Sequence, residues 1–193
     1  MTAMNTTMPR NDVVTGLLWL SGIYAHELSA EQIAFFRSDE GEAFLDWLSQ
    51  LSREPDAVAQ IRSALAAPVE ESSLAIDLAG EYASLFLGVG NRMNCLPYEA
   101  MWRGESRLWG ASTKRVDALL ESHGLKNDTP EPSDHIAVQL QLMAHLVSGG
   151  SVDAAMLKSQ LAEWAPAFCD SVQTHDSRGF YAGVAAVTRS LLS

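Results

Sequence analysis

Residues 74–87 read LAIDLAGEYASLFL, and this stretch decides the fold. Ala75, Leu78, Ala79, Tyr82, Leu85 and Phe86 return at intervals of three and four, which places them on one face of a helix and rules out the alternation of a strand. The run ends in GVGNRMNCLP (88–97), whose glycine, asparagine and proline punctuation marks a loop.

The same period recurs on both sides. Upstream, Val13, Leu17, Leu20 and Tyr24 share a face within residues 13–25, and Ser29 opens a second helix whose Gln32 completes a capping box. Residues 41–51 put Phe44, Leu45, Leu48 and Leu51 on one side. Residues 55–67 begin on a proline, where its missing N–H does no harm, and Pro68 stops them. Downstream, residues 112–123 form a helix that Gly124 terminates, and Ile136, Leu140, Met143 and Val147 mark another, ended by Gly149-Gly150. Residues 151–164 and 179–192 complete the set. No segment shows convincing β alternation, so the expectation is an all-α, single-domain helical bundle over residues 12–193 behind a flexible tail, 1–11.

Composition narrows the function. The chain has 193 residues, 47% hydrophobic and 19% charged, enough for one well-buried domain. Its 24 acids against 13 bases give a net charge of −11, which excludes a duplex nucleic-acid binder and suits a cationic partner. Cys95 and Cys169 form no CxxC, and the five histidines form no HxxxH or HxH pair, so no metal site is expected. The apolar run at 13–25 is too short to span a bilayer and lacks a cleavage site, so no membrane insertion and a cytoplasmic location are expected.

The two longest irregular stretches, 88–108 and 126–133, are where function is expected. In TPEPSDHIAVQLQLM (129–143), Asp134 and His135 stand where loop becomes helix. A catalytic pair finds no nucleophile motif elsewhere. A capping role gives Ser133 or Asp134 the free N–H groups of the helix start. A carboxylate held there beside a groove also makes a bidentate arginine receptor. GVGNR (88–92) lacks the lysine and the strand of a phosphate loop. Tyr82, Phe86, Leu96, Pro97, Tyr98, Met101, Trp102 and Trp109 read equally as core or as a groove for an amphipathic peptide.

Taken together, EYASLFLG, LPYEAMWRGESRLWGAST, EPSDHIAVQLQLM, WAPAFCDSV and FYAGVAAVT, in that order, resemble the TorD/DmsD-type chaperones, maturation proteins of molybdoenzymes exported by the twin-arginine route. The resemblance runs from about residue 75 to the end. It implies an all-helical protein without catalytic activity or cofactor, although some members bind GTP weakly. Its implied partners are the twin-arginine leader and the apo-form of a molybdopterin oxidoreductase, and it implies a monomer or a domain-swapped dimer. Asp134 and His135 match the family's D-H pair, implicated in leader binding, and Glu131 and Pro132 match the rest of that motif. Pro97, Tyr98 and Trp102 match its proline-aromatic loop, and Leu85, Phe86 and Gly88 the helix end before it. One departure is Ala100, which stands where the family's P-Y-E-S pattern has a hydroxyl.

A leader with two adjacent guanidinium groups and an apolar stretch needs carboxylates beside an apolar surface. Glu99, Glu131 and Asp134 are the candidate carboxylates, and Tyr82, Phe86, Pro97, Tyr98 and Trp102 the apolar side. If Asp134 and His135 serve binding alone, replacing both should leave stability nearly unchanged. Two alternatives share the chain's features: a NarJ-like assembly chaperone acting on the body of a membrane-associated oxidoreductase, and a GTP-binding or hydrolysing protein.

Overall fold

A computed structural model describes residues 10–89 and 95–193. These residues form eleven helices and no strand: α1 (Arg10–Ala25), α2 (Ala30–Phe36), α3 (Asp39–Ser52), α4 (Pro55–Leu65), α5 (Glu71–Phe86), α6 (Glu99–Trp102), α7 (Ala111–Ser122), α8 (Ile136–Gly149), α9 (Asp153–Ala162), α10 (Ala165–His175) and α11 (Phe180–Leu192). The helical-bundle expectation holds.

Local chemistry sets several of the boundaries. Before α2, Ser29 Oγ accepts from the Gln32 N–H at 3.2 Å and the Gln32 side chain accepts from the Ser29 N–H at 2.9 Å, closing the anticipated capping box. Pro55 starts α4. Gly150 ends α8 with φ 67°, a left-handed conformation that costs glycine little.

Packing follows from the apolar faces. On α5, Leu74, Leu78, Tyr82, Leu85 and Phe86 are buried. α1 lies along α8, and Ser21 Oγ ties the pair by donating to Ala137 O at 2.8 Å. α11 packs on α4 and α10. At Gly183 a Cβ would lie 2.6 Å from the backbone oxygen of Ala57, so only glycine lets α11 approach α4 this closely. The centre is aromatic. Phe86 meets Tyr24 at 5.7 Å and Tyr181 at 5.3 Å between ring centroids, both edge-on, and Tyr24 also meets Phe168 at 5.5 Å. Burying each such ring stabilises the fold by roughly 2–3 kcal/mol, with edge-on contact adding about 1 kcal/mol.

Beyond shifts of a few residues at helix ends, the structure departs from expectation in several places. Residues 165–175 form α10, a helix outside the expected set; Pro166 sits in its first turn, where no ladder bond is lost. The helix expected over 151–164 is α9, confined to Asp153–Ala162. The loop expected over 88–108 contains the single turn α6. Arg10 and Asn11 belong to α1 rather than to the tail, and the rest of that tail lies outside the described residues, as does most of GVGNR. Among the described residues no helix is long and apolar enough to cross a membrane.

Candidate functional site

The two irregular stretches meet. Residues 97–99 run antiparallel to residues 134–136, with the Ile136 N–H donating to Pro97 O at 2.8 Å and the Glu99 N–H to Asp134 O at 3.1 Å. This clasp sets the start of α6 against the start of α8, with Tyr98 opposite His135.

Asp134 faces inward and is fully buried. Its Oδ1 accepts from Thr113 Oγ1 at 2.7 Å and its Oδ2 from the Ala100 N–H at 3.0 Å. Ala100 thus serves the clasp through its backbone, where a side-chain hydroxyl is not required. Glu99 is equally buried. Its Oε1 receives Arg103 Nε at 2.5 Å and also Arg115, and its Oε2 receives Gln139 Nε2 at 3.1 Å. Arg103 reaches outward as well, pairing with Glu163 at 2.8 Å. In this conformation neither carboxylate has a free lone pair facing solvent.

The cap expected of Ser133 or Asp134 belongs instead to His135, whose Nδ1 accepts from the Ala137 N–H at 3.1 Å. That contact requires the Nε2–H tautomer. Burial holds the imidazole neutral, with its pKa lowered to about 4 despite the raising influence of Glu131 and Asp134. Ser133 donates to Asp117 and receives Asn127 Nδ2 at 3.1 Å. Asn127 also donates to Glu131 O at 2.7 Å, so it staples the loop ahead of the clasp.

The open side of the corner is different. The Tyr98 ring stands edge-on to His135 at 5.1 Å, and its hydroxyl donates to Glu131 Oε2 at 2.6 Å. Burial, followed by Glu131, pushes that phenol well above its ordinary range. Glu131 is half-buried, and among the described residues no cation lies within ion-pair distance of it. Tyr82 donates to Tyr24 O at 2.9 Å, and burial raises its pKa to about 12, with the charges of Glu131 and Glu27 adding to the rise. Tyr181 is raised too, by burial first, then by Tyr82 and by Asp176, Glu27 and Glu81. The half-buried Tyr98 and the buried Tyr82 and Tyr181 behind it therefore sit in an acidic field.

The remaining predicted site residues are packing groups here. Phe86 is 1% exposed, inside the aromatic core, and Pro97 and Pro132 are buried beside the clasp. Trp102 is half-buried, donates to Leu96 O at 2.9 Å and meets Phe168 edge-on at 6.0 Å. Sequence reasoning missed Thr113, Arg103, Arg115, Gln139 and Asn127. Two of these left a signal: Gln139 is a polar residue within an apolar helical run, and Arg103 follows Glu99 by four. It also missed Glu27, an exposed acid in the turn after α1 that carries no motif.

Comparison with known proteins fits this architecture. Residues 49–170 match the family model described as nitrate reductase delta subunit. The chaperone protein TorD of Aliivibrio salmonicida is 30% identical, with 86% of this chain and 84% of that protein covered. The chaperone protein TorD of Escherichia coli is 28% identical, with 93% and 92% covered. A crystal structure described as that of a redox enzyme maturation protein from Archaeoglobus fulgidus superimposes with a TM-score of 0.52 at 21% identity, covering 98% of this chain and 96% of the other, a likeness of fold. Its relatives are named chaperones rather than enzymes, and the chain belongs to the TorD chaperone family.

Proposed function

We propose that the chain is a cytoplasmic chaperone that holds the twin-arginine leader of a molybdoenzyme precursor until the cofactor is inserted. The observation that carries this reading is Glu131, the outward member of the E-P-x-D-H element, half-buried and without a cation among the described residues. A carboxylate so placed, bonded to the half-buried Tyr98, suits a guanidinium group and the apolar residues beside it. Asp134, Glu99, His135, Pro97 and Pro132 serve this surface as positioning residues, because they clasp the loop that presents it. Trp102 extends the apolar side.

Calorimetry with synthetic twin-arginine leader peptides tests the reading. Binding should weaken about tenfold in Glu131→Gln, roughly 1.4 kcal/mol, the scale of one charge-assisted contact. Absence of binding by the unaltered chain across a panel of leaders would sink it. The description of the family model, nitrate reductase delta subunit, favours a second reading in which the chaperone also grips the body of its client. Pull-down of the client with and without its leader separates the two.

A further inference from the structure

Glu99 holds more cations than its charge requires. One of its oxygens, Oε1, receives both Arg103 Nε at 2.5 Å and Arg115 Nη2, and the other receives Gln139 Nε2 at 3.1 Å. Two guanidinium groups share one carboxylate, so the cluster is positive until Glu163 is counted. Glu99 is fully buried, whereas the side chains of Arg103 and Arg115 are 29% and 34% exposed. The carboxylate therefore lies one side chain beneath solvent, and these arginines are part of its cover. The cluster also leaves polar capacity unused. Gln139 is fully buried, and its Oε1 has no hydrogen-bond partner among the described residues. Arg115 Nε is a buried donor in the same position. Atoms of this kind cost stability and are rare in folded chains. Both belong to side chains already bonded to Glu99.

Arg103 is the member of the cluster with somewhere else to go. It caps the C-terminus of the single-turn α6, and its Nη2 already pairs at 2.8 Å with Glu163, a 57% exposed acid at the C-terminal end of α9. If its Nε leaves Glu99, the guanidinium keeps one carboxylate rather than losing its only one, so no cation is stranded. A guanidinium group arriving in its place meets Glu99 Oε1 and the unused Oε1 of the amide bonded to Oε2, acceptors suited to a fork of N–H donors. Glu99 also adjoins the open carboxylate of the corner: it follows Tyr98, whose hydroxyl donates to Glu131 at 2.6 Å. Two adjacent arginines thus find one carboxylate each.

We infer that Glu99 and Gln139 form a second guanidinium seat, which Arg103 occupies in the free chain and yields to an arginine of the leader by moving wholly onto Glu163. Arg103 is then an internal competitor of the ligand, and Glu163 sets how readily it withdraws. The inference rests on the leader-binding reading.

The test is titration calorimetry of the full chain with a synthetic peptide carrying two adjacent arginines, and with the same peptide keeping only one. It is run on the unaltered chain, on Arg103→Met, on Glu163→Gln and on the double variant, each checked for folding by thermal melting. Arg103→Met empties the seat and should bind the two-arginine peptide about tenfold more tightly, the scale of one charge-assisted contact. Glu163→Gln removes the place to which Arg103 withdraws and should bind it about threefold more weakly, the scale of an exposed ion pair. The double variant should match Arg103→Met, because Glu163 acts only through Arg103. The one-arginine peptide, whose guanidinium takes Glu131, should bind Arg103→Met and the unaltered chain alike. Equal or weaker binding of the two-arginine peptide by folded Arg103→Met, as a purely structural role requires, overturns the inference and leaves the leader reading standing. Should Arg103→Met not fold, Glu163→Gln decides, since that residue is exposed: unchanged affinity there overturns the inference. Failure of the unaltered chain to bind the two-arginine peptide overturns both.

Discussion

Asp134 and Glu131 lie three residues apart in one loop, and their carboxylates are used differently. Asp134 is sealed between α7 and the start of α6, with each oxygen taken by an internal donor. Glu131 is half-buried, bound by one phenol and without a cation at ion-pair distance among the described residues. Glu99, in the opposing loop, follows Asp134: its carboxylate is filled by two arginines and a glutamine of the same chain. A shared motif therefore combines two kinds of residue. Some build the corner, and others are presented by it. Burial and partner inventory separate the two where residue type does not.

The contrast is sharpest in stability. Asp134→Ala strips both partners, leaving the Thr113 hydroxyl and the Ala100 N–H buried without an acceptor. It should cost about 3 kcal/mol in urea unfolding, while Asp134→Asn, which retains one acceptor, should cost less. This reverses the expectation from sequence that the D-H pair could be replaced with little effect on stability. A cost under 1 kcal/mol for Asp134→Ala would break the distinction between builder and presenter.

His135 makes the same division visible through pH. Its folded pKa of about 4 lies below the ordinary 6.5, so between those values the unfolded chain holds the extra proton. Stability should therefore fall as pH drops from 6.5 towards 4, by up to about 3 kcal/mol from this group. His135→Asn keeps an acceptor for the Ala137 N–H and removes the titration. Unfolding free energies measured from pH 7 to 4 should show a shallower loss in the variant. Parallel curves would mean that the imidazole is not held neutral.

The smaller effects lie on the presenting side. Tyr98→Phe removes the bond to Glu131 and should cost about 1 kcal/mol of stability by thermal melting. Glu131→Gln should change unfolding free energy by less than about 0.5 kcal/mol, because the half-buried amide still accepts from Tyr98. A large destabilisation by Glu131→Gln would place that residue with Asp134 among the builders.

The helices were legible because their signals are local. The three–four spacing at Leu74, Leu78, Tyr82, Leu85 and Phe86, the Ser29–Gln32 box and Gly150 each act within a few residues of chain. α10 is absent from the expected set although Pro166 stands in its first turn as Pro55 does in that of α4. Of the site, sequence alone determined the two loops that meet, with their proline, aromatic and acidic residues recognisable by order, but not the residues of α7 and α8 that fill the corner, such as Thr113, Arg115 and Gln139. It did not determine which way the loop residues face. Asp134 and Glu131 are equally acidic and nearly adjacent, and only the antiparallel clasp, closed between residues 97–99 and 134–136, turns one carboxylate into the core and leaves the other out. His135 rather than Ser133 became the cap for the same reason: the clasp sets the backbone at His135 extended and its ring over Ala137, while Ser133 is drawn off to Asp117. These outcomes depend on contacts between residues far apart in sequence, such as Thr113 with Asp134 and Arg115 with Glu99, and no local pattern encodes them.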